Sequence, residues 1–374
     1  MTLVARNRNH LVPSVVSDVL LTIKKVATPI IIPTIGIDIS NFVCFLNGQP
    51  HALVQKSYIL KDNLCIGFAG FRSEIKPYLE DFRIFCRTAP ELTQENVTAW
   101  IQQNGFEAFQ RSAFFIMLME KKGPHIQVKE ITYGDFKQND NILFEHTAAI
   151  GTGTSDFISI IGQKIELTSS FKDGEVGQAI VKNQSLIAKL LTYERYSWGT
   201  LQNAWGAAFE WTWYNGVRFE KFGEVAYTLH QGYYNEDGEV IFIFPLLILF
   251  YKYEGDDLII TAIEVDSFTH NDTDKYLILK ADNVRSRAYC VPPIWDQAKL
   301  NDPIEPTSFE TYKVAMGFYI NTPSGKIFDP SFYTFSLDLK ISFDKERDSL
   351  EIQYNRELNN LINQKFNEAF QFYR

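Results

Sequence analysis

The chain has 374 residues, enough for one large domain or two of ordinary size. It is 45% hydrophobic and 14% aromatic, which supplies a sizeable core and argues against disorder. A net charge of −9 argues against nucleic-acid binding, because no basic field is available to displace counterions.

In chain order, the β-branched runs Thr2–Ala5 and Val12–Leu21 predict a hairpin turning near Asn7–His10. Val26–Ile39 reads as strand or loop. Phe42–Phe45, Ala52–Leu60 and Leu64–Phe68 predict further strands. After Arg72 the period changes. Ile75, Tyr78, Leu79, Phe82, Ile84 and Phe85 fit one helical face. A second helix carries Val97, Trp100, Ile101 and Phe106, with Thr93 as its N-cap. Ala113–Met119 and Ile126–Ile131 are strands. Two more helices are expected, over about Gly151–Ser169 and over Glu175–Leu191.

The aromatic stretch Gly199–Phe222 reads as an extra buried helix or an interface. Beyond it, β-like runs include Glu224–Leu229, Glu239–Tyr253, Asp257–Val265, Tyr276–Leu279 and Tyr333–Ile341. Val240–Phe250 is too short to span a bilayer and contains Pro245, so it reads as one or two buried strands. Leu350, Tyr354, Leu358, Leu361, Ile362 and Phe366 predict a closing amphipathic helix over Asp344–Phe372.

The four cysteines form no CxxC pair, which fits reduced thiols in a cytoplasmic protein, and the start of the chain has no signal-peptide pattern. The six histidines show no HxxxH or HExxH spacing, so neither a metal nor another cofactor is expected.

The chemistry is concentrated near the N-terminus. Once Met1 is removed, Thr2 becomes a nucleophile that carries its own base, its free α-amine. Such an amine titrates near pKa ~8, well matched to neutral pH. The plainer alternative is that Thr2 simply begins the first strand. Asp18 follows Thr2 by sixteen positions and Thr22 follows Asp18 by four. Lys56 precedes Gly70 by fourteen, the glycine closing Gly67-Phe-Ala-Gly70. Gly151-Thr152-Gly153 follows the apolar Ala148-Ala149-Ile150.

In order and spacing these elements resemble the proteasome β-subunit family of N-terminal nucleophile hydrolases, which includes the bacterial HslV and Anbu proteins. The resemblance covers residues 1–235 and leaves 236–374 as a β-rich extension ending in a helix. It implies an α+β fold, a four-layer αββα sandwich. It also implies a threonine-type amidohydrolase, acting on peptides or proteins and self-associating into a homo-oligomer, with an unfoldase as a possible partner. Neither a membrane nor a nucleic acid is expected as a partner. The alternative is a proteasome-like scaffold without turnover.

The resemblance assigns Thr2, Asp18, Lys56, Gly70 and Thr152 to catalysis. Lys56 would be the cation beside the Thr2 hydroxyl, with Lys24 or Lys25 as the fallback. Gly70 would offer its N–H to the oxyanion, although a plain turn would need the same residue. Thr152 stands where the family has Ser. Thr22 would bind substrate main chain, and Leu21, Phe68, Arg72 and Lys76 would line the adjoining pocket, two cations favouring an acidic side chain. Glu194 and Ser197 resemble a later Asp-x-x-Ser-Gly element, with Glu for Asp and Trp198 inserted before Gly199. An alternative register puts that element near Phe222-Gly223.

Overall fold

The computed structural model describes residues 3–9, 12–23, 30–36, 39, 49–104, 111–123, 125–134, 137–139, 147–162, 174–234, 240–242, 245–296, 303–321, 327–328, 331–335 and 337–371. Phe42–Phe45 and Phe106 lie outside them.

The protein is a mixed α+β structure with several sheets. β1 (Leu3–Asn9) and β2 (Val12–Asp18) form the expected hairpin, with Asn9 opposite Val12. β3 (Leu20–Ile23) and β4 (Gln49–Leu53) pair separately. The single strand expected over Ala52–Leu60 is instead two, β4 and β5 (Ser57–Lys61). Between them the backbone amides leave the ladders: Val54 donates to Val19 O, Gln55 to Pro292 O and Lys56 to the Glu210 carboxylate. β5 continues into β6 (Leu64–Ala69), then α1 (Arg72–Thr88) and α2 (Gln94–Gln103), then β7 (Ala113–Lys122) and β8 (His125–Tyr133). These four strands make one antiparallel sheet in the order β5-β6-β7-β8. Thr93 caps α2 in a reciprocal box with Asn96.

Next come β9 (Lys137–Asn139), β10 (Thr147–Gly151), α3 (Thr154–Gly162), α4 (Gly174–Ser197), α5 (Gly199–Gln202), β11 (Phe209–Tyr214) and β12 (Phe219–Lys221). A six-stranded sheet runs β12-β11-β2-β1-β10-β9. The aromatic stretch is therefore mostly a strand pair. Phe209, Trp211 and Trp213 recur at period two and sit on one face, which the sequence reading took for helix or interface.

Alternation assigns the faces. Leu64, Ile66, Phe68, Phe114, Ile116 and Leu118 pack on α1 and α2. Cys65, Phe115 and Met117 point the other way, onto Val4, Val15, Ala148 and Ile150 of the six-stranded sheet. Gly67 permits this approach: a Cβ there would lie 2.6 Å from Val4 Cγ1. The far face of the six-stranded sheet, with Leu3, Ala5, Val16 and Trp211, covers α3 and α4.

Beyond its exposed first turn, α4 is buried on nearly all sides from Val181 to Thr192, because it packs on two sheets. Its second partner is a nine-stranded sheet that begins with β13 (Val225–Tyr234), parallel to Lys313–Asn321. Gly317 lies against α4 so closely that a Cβ would fall 2.5 Å from Ala188 O. The opposite face of that sheet packs on a five-stranded sheet through Ile248, Phe250, Met316, Ile341 and Ile352.

Two C-terminal expectations change. Tyr333–Ile341 divides into strands Ser331–Phe335 and Leu339–Asp344. The closing helix starts only at Arg356, as α6 (Arg356–Gln371), because Ser349–Asn355 is a strand with Leu350, Ile352 and Tyr354 buried in alternation. Leu358 and Ile362 of α6 pack on the chain's own C-terminal core. Among the described residues no helix is long and apolar enough to cross a membrane.

Candidate active site

Thr2 lies outside the described residues, as do Lys24 and Lys25. Its neighbour Leu3 begins β1, and the Leu3 amide donates to Asp18 Oδ1 at 2.7 Å. Asp18 closes β2 and is fully buried. The same oxygen accepts the Lys56 ammonium at 2.8 Å, and the second carboxylate oxygen accepts the amides of Gly206 at 2.9 Å and Leu20 at 3.3 Å. One carboxylate thus ties together the entry to β1, the start of β3, the loop before β11 and the lysine.

Lys56 Nζ also donates to Leu20 O at 2.6 Å. An ammonium has three N–H groups. Among the described residues two of the three are engaged, both on the side of Asp18 and β3. Burial pulls the Lys56 pKa below its ordinary value, while the Asp18 charge and hydrogen bond oppose that shift.

Gly70 lies between β6 and α1, with φ +129, a conformation that favours glycine. A Cβ there would lie 2.5 Å from Ser112 Cα. Ser112 Oγ accepts the Phe71 amide at 3.0 Å and donates to Glu74 at 2.7 Å, which fixes the first turn of α1. Lys56, Gly70, Leu21, Phe68 and Arg72 line one small cavity of about 30 Å³. Lys76 is not part of that lining. It lies 3.8 Å from Glu80, one turn along α1. The expected pair of cations on one wall is therefore reduced to Arg72.

Thr152 is half-buried in the turn after β10. β10 pairs with β1 so that Gly151 stands opposite Leu3, which brings the Gly-Thr-Gly turn to the N-terminal end of β1. Thr154 Oγ1 closes the turn on Gly151 O at 2.7 Å. Thr22 sits at the irregularity in the β3·β4 ladder, and its buried hydroxyl has no hydrogen-bond partner among the described residues.

Glu194 and Ser197 lie at the end of α4 and do not touch Lys56. Ser197 Oγ donates back to Tyr193 O and accepts the Gly199 amide at 3.3 Å, a helix-end role. Trp198 takes φ 56, the left-handed position a glycine would usually fill. Glu194 is fully buried and accepts Thr200 Oγ1 at 2.6 Å, the Ala207 amide at 2.8 Å and the Thr34 hydroxyl. Burial raises its pKa to about 7 despite these bonds, and the Asp18 charge adds to the rise. Glu194 thus holds the loop whose Gly206 amide reaches Asp18.

The sequence reading missed Glu210. It is a carboxylate at the second position of β11, buried at 1% exposure. Its Oε1 accepts the amides of Lys56 and Ser57, each at 2.9 Å, and Ser17 Oγ at 2.8 Å. Its Oε2 pairs with Lys221. Burial pushes this carboxyl up, but Lys221 and the two amides outweigh burial, and its pKa falls below the ordinary value. A charge inside Phe-Glu-Trp-Thr-Trp-Tyr was the available signal, since a buried strand carries a carboxylate only where partners await it.

Among the described residues no three His, Cys, Asp or Glu side chains converge as a metal site would require. No protein-family model matches this sequence, and no curated protein sequence matches it.

Proposed function

We propose that the chain is a threonine-type N-terminal nucleophile amidohydrolase acting on peptides or proteins. The observation that carries the reading is the Asp18–Lys56 pair. The carboxylate that anchors the Leu3 amide, one residue after Thr2, also anchors a buried ammonium with one N–H left over among the described residues. An unspent donor on a buried cation that shares its carboxylate with the residue following Thr2 suits stabilisation of an alkoxide. The layers α1/α2, four-stranded sheet, six-stranded sheet and α3/α4 support reading the first half as the αββα sandwich of that family.

In this mechanism the Thr2 hydroxyl attacks the amide carbonyl and its proton passes to the α-amine. Lys56, held by Asp18, stabilises the developing charge on the Thr2 oxygen. The Gly70 N–H donates to the tetrahedral oxyanion. The protonated α-amine returns its proton to the leaving amine, and an ester on Thr2 remains. Water then attacks that ester by the same route, releasing the acid and restoring Thr2. Thr152 orients the α-amine, and the edge of β3 at Thr22 receives substrate main chain as an added strand. Assembly with further copies of the chain belongs to the same reading.

Two measurements test it. Intact mass of the purified protein should show Met1 removed; a retained Met1 would turn the base into an amide and leave a scaffold without turnover. Thr2→Ala should then abolish covalent labelling by a threonine-reactive electrophile, while Thr2→Ser keeps part of it. Equal labelling of wild type and Thr2→Ala would overturn the assignment.

A further inference from the structure

One wall of the cavity beside Lys56 and Gly70 comes from the far half of the chain. Strand Arg285–Val291 of the nine-stranded sheet runs directly into Pro292-Pro293-Ile294-Trp295. Several contacts seat this run on residues 55–58. Gln55 Nε2 donates to Val291 O at 2.9 Å, and the Gln55 amide donates to Pro292 O at 3.0 Å. The Ile294 amide donates to the Tyr58 hydroxyl at 3.1 Å, and the Tyr58 and Trp295 rings lie 4.7 Å apart. The Arg83 guanidinium lies over the Trp295 ring at 4.5 Å. Two consecutive prolines restrict φ and remove two donors, so the run is stiff.

Ile294 is 7% exposed and packs with Val54, Phe68 and Ile75, residues of the N-terminal half. It also lines the small cavity. Gln55, which docks the run, immediately precedes Lys56. The placement of the ammonium and this wall of the cavity therefore share one stretch of backbone.

We infer that Ile294 limits the side chain accepted on the acyl side of the scissile bond, so that the protein cuts after alanine- or glycine-sized residues and rejects leucine. The inference rests on the hydrolase reading above. A carbonyl carbon held between Lys56 and the Gly70 N–H points its own side chain into this cavity. About 30 Å³ of space is room for about two water molecules. A methyl group enters such a space and an isobutyl group does not, because the surrounding core is closely packed and resists expansion. The β-rich C-terminal half thereby supplies one wall of the site and sets its substrate class.

The test uses the full-length protein, with Met1 removal confirmed by mass, and two capped tripeptide epoxyketones that differ only in the last residue, alanine or leucine. Wild type should label with the alanine probe roughly tenfold faster or more, the discrimination a methylene-sized misfit allows. Ile294→Ala should lower the alanine-to-leucine rate ratio by roughly tenfold or more. Ile294→Val, which keeps most of the packing, should lower it by a smaller factor and keeps the test valid should the alanine variant misfold. Equal rates for the two probes in wild type, or a ratio unmoved in the folded variants, would overturn the role of Ile294 while leaving the nucleophile in place. No labelling of processed wild type by either probe would overturn the hydrolase reading, and this inference with it.

Discussion

Two buried lysine–carboxylate pairs flank residues 56 and 57, and they differ in one respect. Lys221 spends all three N–H groups, on Glu210, Ser57 O at 2.6 Å and Ser57 Oγ at 2.9 Å. Lys56 spends two among the described residues, on Asp18 and Leu20 O. Exposure does not separate them, since the side chains are 14% and 10% exposed. Burial lowers both lysine pKa values, opposed in each case by the partner carboxylate. Donor accounting separates them: a saturated ammonium holds structure together, whereas one with a donor left over is equipped to meet a reacting oxygen. Glu210 links the two, because it pairs with Lys221 while fixing the backbone amide of Lys56.

Removing either cation separates the roles. Lys221→Met and Lys56→Met each strand a buried carboxylate, and each should destabilise by about 3–5 kcal/mol in denaturant unfolding. On the hydrolase reading proposed above, only Lys56→Met should also slow acylation per folded molecule, by roughly 10²–10³-fold, the usual loss of one transition-state donor. A Lys221 variant that loses acylation to the same extent while folded would erase the distinction.

A smaller effect concerns Glu194, which holds the loop reaching Asp18. Its pKa rises from 4.5 in the unfolded chain to about 7 when folded, chiefly through burial. The native state therefore binds a proton more tightly than the unfolded chain. That contribution is complete below pH 4.5, declines as pH rises, and is gone above about 7, a span of about 3 kcal/mol. Glu194→Gln cannot titrate. The stability of wild type relative to Glu194→Gln should fall as pH rises from about 4.5 to about 7, read from denaturant midpoints across that range. A flat difference would place the carboxyl's titration elsewhere.

The smallest effect is a control outside both pairs. Thr93→Ala removes the cap of α2 and should cost about 1 kcal/mol. Labelling of Thr2 per folded molecule should not change. A change would mean that the site responds to general loosening of the four-stranded sheet and its helices, and that donor accounting is not the deciding difference.

Much of the framework was legible in the sequence. The opening hairpin, the change of period at Arg72 and the Thr93 cap are local features, each readable within a few residues. Two misreadings came from patterns that fit both periods. Leu350, Tyr354 and Leu358 suit one helical face, but Leu350, Ile352 and Tyr354 also alternate, and cross-strand pairing with Tyr276–Ala281 decides for strand. The aromatics of β11 were similarly ambiguous until their pairing with β2 resolved them. Glu210 does not stand out locally because its partners come from β2, the start of β5 and β12, three separate places in the chain.

By itself, the sequence determined the residue types and the local faces: an acid at Asp18, a lysine ahead of a Gly-Phe-Ala-Gly turn, and alternating strands to carry them. The tertiary structure alone decided which of these residues meet. Asp18 and Lys56 are 38 positions apart, and Tyr58 and Ile294 are 236 apart. Periodicity specifies which way a side chain faces, because that follows from the local dihedrals. It carries no information on sheet order or on which distant segment closes over a cavity. Those follow from burying every face at once, and here that required α4 to serve two sheets and Ile294 to cross from one half of the molecule to the other.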